Sequence, residues 1–76
     1  MEELLEILEE QRPDVDFEAE TRLIDDHILE SIDIISLVYS ISETFDVEIK
    51  PSDLVNENFN SAEAMWKLIE RLQEDI

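Results

Sequence analysis

Neither glycine nor cysteine occurs in these 76 residues, and the chain has one histidine, two prolines and five basic residues. Without glycine there is no Gly-rich phosphate loop and no dinucleotide-binding fingerprint, both of which need backbone approaches that a Cβ obstructs. Asp14-x-Asp16-x-Glu18-x-Glu20 has acidic spacing but lacks the glycine of a calcium-binding EF-hand turn, so it is read as a solvated loop. Without cysteine there is no disulfide and no thiolate chemistry. A zinc site or a Ser-His-Asp triad would have to be built around His27 alone, so no metal site is expected and His27 is assigned no catalytic role. Apolar runs are short: Ile34-Ile35 is broken at once by Ser36, far below the roughly 20 residues of a membrane helix. The first residues, Met1-Glu2-Glu3-Leu4-Leu5-Glu6, are acidic where a signal peptide would be basic. The expected setting is soluble, reducing and cytoplasmic.

Bases are outnumbered by 22 acids, for a net charge of −17. Phosphate binding needs clustered Lys and Arg, so neither nucleic acid nor an anionic membrane is an expected partner. A field of this sign steers basic protein surfaces toward the chain and strains the fold by self-repulsion. The acidity does not imply disorder, because 43% of the residues are hydrophobic and they recur periodically. This length predicts one domain over residues 1–76, a monomer with a single small core, burying about 60% of the surface of the unfolded chain.

Four helical segments are read along the chain. The first spans Glu2 to Gln11, with Leu4, Ile7 and Leu8 on one face, and Arg12-Pro13 ends it. Asp14 to Leu29 lacks a period and is read as a long loop anchored by Val15, Phe17, Leu23, Ile24 and Ile28. The second helix runs from Ser31 or Ile32 to Thr44, with Ile34, Leu37, Val38, Ile41 and Phe45 on its inner stripe and Ile35 and Tyr39 widening it. Phe45 to Ile49 alternates like a strand but has no partner, so an extended connector is expected. Pro51 suits the first turn of a short helix over Ser52 to Asn56. Asn58-Phe59-Asn60 breaks that helix and buries Phe59, and Asn60 or Ser61 caps a last helix to Gln73. Ala62, Met65, Trp66, Ile69 and Leu72 form its inner face. The fold class is all-α: a small antiparallel bundle of three main helices plus one short helix, with a long loop between the first two.

Leu29-Glu30-Ser31-Ile32-Asp33 places a serine where the most apolar helix begins, with acids beside it. Such a hydroxyl serves as a helix cap, worth about 1 kcal/mol relative to alanine, or as a covalent attachment point. Asp33 in the first turn is stabilising in either case. Of Ile32 and Ile35, one is expected to be core.

The order of helix, long loop, Glu30-Ser31-Ile32-Asp33 opening an apolar helix, Phe45-Asp46-Val47-Glu48-Ile49-Lys50-Pro51, short helix and final helix resembles the acyl carrier and aminoacyl carrier proteins from Leu4 to Leu72. Their signature is Asp-Ser-Leu, and the stretch from Phe45 is similar to their Phe-Asp-Ile-Glu-Ile-Pro. The resemblance implies a phosphopantetheine arm, derived from coenzyme A, attached covalently to Ser31 and carrying an acyl or aminoacyl group as a thioester between enzymes of fatty acid, polyketide or related synthesis. It implies no catalysis by the chain itself. Expected partners are a phosphopantetheinyl transferase, an acyl- or aminoacyl-loading ligase and acyl-using enzymes with basic faces, docking on Glu30, Ile32, Asp33 and Ile35. Two departures stand out: Glu30 replaces the aspartate, and Ser36 stands where fatty-acid carriers commonly have a further acid. With the Asp53 to Met65 segment, which resembles the D-alanyl carriers of cell-wall synthesis, they point to an aminoacyl carrier as the alternative cargo class. An unmodified acidic module binding a basic partner is the reading from a different class.

Overall fold

A computed structural model describes residues 1–74; residues 75 and 76 of the expected domain span lie outside that description. Four α-helices follow in order: α1 over Glu2–Gln11, α2 over Ser31–Phe45, α3 over Asn56–Phe59 and α4 over Ala62–Glu74. A 3-10 turn over Pro51–Asp53 precedes α3, and no strand occurs among the described residues. α1 packs against both α2 and α4, and α3 against α4. The all-α bundle is as expected; of the expected connector Phe45–Ile49, Asp46 to Ile49 is non-helical and Phe45 belongs to α2.

The core follows from helical spacing. Leu4 and Leu8 of α1, Leu37 and Ile41 of α2, and Ala62, Met65, Leu68 and Ile69 of α4 are buried around Phe59. Phe45 and Trp66 close one end edge-to-face, with centroids 5.8 Å apart and planes at 72°. Trp66 is therefore a half-buried seal and not fully interior.

The long loop is built into the core. Phe17, Leu23 and Leu29 are buried, while Val15, Ile24 and Ile28 pack at its margin. Asn60 ties the loop to the α3–α4 corner. Its carbonyl oxygen accepts from Leu23 N at 2.8 Å, and its side-chain Oδ1 accepts from Ile24 N and Asp25 N at 3.0 and 3.1 Å. Its Nδ2 donates to Asp25 Oδ2 at 3.1 Å. Backbone donors that a loop would leave to water thus find fixed partners.

Element boundaries differ from the sequence reading in places, and one choice it left open, the cap of α4, is decided. The region after Pro51 is not one helix over Ser52 to Asn56 but the 3-10 turn and α3, because Asp53 Oδ2 caps the Lys50 amide at 3.0 Å and closes the first turn on itself. The cap of α4 is Ser61, whose Oγ accepts from Ala64 N at 3.0 Å, leaving Asn60 free for the loop. α2 continues one residue past Thr44 to Phe45 and stops where Asp46 enters the left-handed region at φ 53.

Candidate functional site

Ser31 is the first residue inside α2 and is exposed. The cap position belongs to Glu30, whose extended backbone (φ −106, ψ 173) turns the chain into the helix. Ser31 is therefore not the cap: a capping side chain must come from the residue before the first helical dihedrals. Asp33 Oδ2 reaches back to accept from Glu30 N at 3.0 Å, and Ile34 N closes the first turn on Glu30 O at 3.1 Å.

A second set of contacts locks this corner to α1. Arg12 Nη1 donates to Asp33 Oδ2 at 3.1 Å and to Ile28 O at 3.0 Å, and Gln11 Nε2 donates to Asp33 O at 2.8 Å. The Asp33 side chain is only 16% exposed, and these contacts occupy it. Arg12 also pairs with Asp14. That hydrogen bond holds the Asp14 carboxyl below its ordinary range and, with the nearby carboxylates, raises the Arg12 guanidinium. Gln11 and Arg12 carry no motif; only their position at the end of α1, ahead of Pro13, marks them in the sequence.

In front of Ser31 lies an open hollow of about 650 Å³, walled by Ile24, His27, Ile34, Ile35 and Leu54. A smaller pocket of about 60 Å³ shares Ile24, Ile34 and Leu54 with it and is also lined by Phe59. Beside the hollow, α2 presents Ile32, Ile35 and Tyr39, which are 70%, 69% and 65% exposed. Neither Ile32 nor Ile35 is core, against expectation, because the stripe from Ile34 through Leu37 and Ile41 faces the bundle and these residues project from the other side. The Tyr39 hydroxyl hydrogen-bonds Glu43, which raises its ionisation above the ordinary phenol range. Of the four expected docking residues, Glu30, Ile32 and Ile35 share one exposed surface and Asp33 lies behind it.

The arrangement offers an accessible hydroxyl at the start of a 15-residue helix, where unpaired amides and the helix dipole favour an anion. No group of His, Cys, Asp or Glu among the described residues is placed to hold a metal ion. Residues 1–74 match the family described as the phosphopantetheine attachment site. The chain belongs to that family. Comparison with curated proteins and with solved structures found no match. As a phosphopantetheine-carrying protein it has a covalent arm as its prosthetic group and works with the enzymes that attach and use that arm; such domains usually lack catalytic activity of their own. The residues fit the group: an exposed hydroxyl for the phosphodiester, a helix start to face its charge, and an apolar-walled hollow beside it. No helix among the described residues is long and apolar enough to cross a membrane.

Proposed function

We propose that Ser31 carries the arm and that the chain is an acyl carrier protein of cytoplasmic biosynthesis, of fatty acids, polyketides or related products. The observation that carries this reading is the position of Ser31, exposed at the first turn of α2 on the rim of the hollow. Ser36 is exposed but mid-helix, Ser52 sits in a three-residue turn and Ser61 is engaged as a cap. In loading, Ser31 Oγ attacks the phosphorus of coenzyme A that bears the pantetheine. The bond to the nucleotide breaks, 3′,5′-ADP leaves, and the hydroxyl proton passes to a base of the transferase. The bound arm supplies a terminal thiol that holds the cargo as a thioester.

The chain's own residues then present rather than react. The first turn of α2 favours the phosphodiester by about 0.3–1 kcal/mol. Tethering raises the effective concentration of cargo at each partner's active site without any new contact. Partners dock on Glu30, Ile32 and Ile35, with Asp33 fixing the backbone beneath them; a basic rim around an apolar patch is the complementary surface. Ser36 and the uncharged strip around it favour a second reading of the cargo, aminoacyl in place of fatty acyl.

Intact mass after incubation with coenzyme A and a broad-specificity transferase tests the assignment. A gain of one arm, absent in Ser31→Ala, is expected; no gain with several transferases would sink it. Charging the loaded protein with fatty-acid or amino-acid ligases then separates the two cargo classes.

A further inference from the structure

His27 lines the same hollow as Ser31, and its backbone stands at φ 58 in the left-handed region. Histidine is among the few non-glycine residues that enter this region with some frequency. The turn that puts it there is closed by hydrogen bonds. His27 N donates to Ile24 O at 3.0 Å, and Leu29 N donates to Leu23 O at 2.9 Å, with both leucines buried. The ring is thus carried on an anchored loop next to the attachment corner.

Among the described residues, His27 is the one basic side chain that lines the hollow. Arg12 pairs with Asp14 and Asp33, Arg22 with Asp26 and Lys67 with Glu63, and none of these, nor Lys50 or Arg71, lines the hollow. The charged groups near His27 are acids and two arginines already engaged, Arg22 with Asp26 and Arg12 with Asp14, Asp33 and the Ile28 carbonyl. Glu30 shares the hollow, Asp26 is turned to Arg22, and Asp25 is held by Asn56 and Asn60. From α2 and the α3 side, the wall residues Ser31, Ile34, Ile35, Leu54 and Asn56 are all uncharged. A phosphodiester on Ser31 would bring one more negative charge beside Glu30 on a chain of net charge −17.

We propose that His27 binds the phosphate of the attached arm, its imidazolium pairing with the phosphodiester on Ser31. This rests on the assignment of the arm to Ser31. The pairing offsets the added charge and holds the root of the arm against the hollow, which sets the direction in which the arm leaves the surface. The phosphodiester favours the protonated ring.

The test uses bare and loaded full-length protein. His27 is the sole histidine, so its ring-proton resonances report this one site. Those resonances are expected to shift on loading, and to shift less in high salt. The phosphorus-31 resonance of the loaded protein should be displaced in loaded His27→Asn, a substitution that keeps the left-handed turn because asparagine also tolerates it. Ring resonances that do not move on loading, or a phosphorus resonance that is the same in the loaded parent and in loaded His27→Asn, overturn this proposal alone. Failure to load is read first from the intact mass and overturns both.

Discussion

Asp33 Oδ2 accepts from the Glu30 amide and from Arg12, while Gln11 holds the Asp33 carbonyl. One side chain thus closes the first turn of α2 and ties it to the end of α1. Removing it leaves the Arg12 guanidinium and the Glu30 amide without that acceptor, and bonds to charged groups contribute about 1.5–3 kcal/mol each. Asp33→Ala is expected to lose about 2 kcal/mol of stability in urea unfolding; Asp33→Asn, which keeps an oxygen for Glu30 N, should lose less. An unchanged urea midpoint for Asp33→Ala would show that Arg12 finds water instead. In the sequence, Asp33 reads as an acid in a first turn and, by the resemblance, as a docking residue. Its partner lies 21 positions away, and no local pattern pairs the two.

At the scale of the element, α2 is the informative case. Its apolar residues nearly encircle it, so periodicity identifies a helix without saying which side is covered. The bundle covers Leu37 and Ile41 and leaves Ile32, Ile35 and Tyr39 out. Leu37→Ala should therefore cost about 2–5 kcal/mol. Ile35→Ala and Tyr39→Ser should stay within about 0.5 kcal/mol of the parent. Thermal unfolding of the three variants decides this, and a large loss from Ile35→Ala would mean that the residue is packed. The segment after Pro51 reads in the sequence as one short helix over Ser52 to Asn56 broken at Asn58, where the structure has a 3-10 turn and α3 running on to Phe59, because three- and four-residue helices are too short to show a period.

For the whole molecule the governing quantity is the charge of −17. Arg12, Arg22 and Lys67 are already paired with acids, so most carboxylates face one another across water. Self-repulsion of this kind is long-ranged and screened within about 10 Å at 0.1 M salt. The melting temperature should rise with added sodium chloride and more steeply with magnesium chloride. A melting temperature flat in salt would show that the ion pairs lost to screening cancel the repulsion relieved. The same field draws basic partner surfaces to the carrier, so loading rates should fall as salt rises even while stability increases.

The amino-acid order by itself determined the helical class, the three long helices, a cap of the last one at Asn60 or Ser61, the burial of Phe59 and the exclusion of Gly-dependent and thiol chemistry. These rest on local spacing and on which side chains exist. It also marked Ser31, by its place at the head of the apolar helix. Only the tertiary structure decided that Glu30 and not Ser31 occupies the cap, that Asn60 binds the long loop, and that His27 lines the hollow beside the serine. Those outcomes depend on contacts between residues distant in the chain, where burial and hydrogen bonding override what neighbours in sequence prefer.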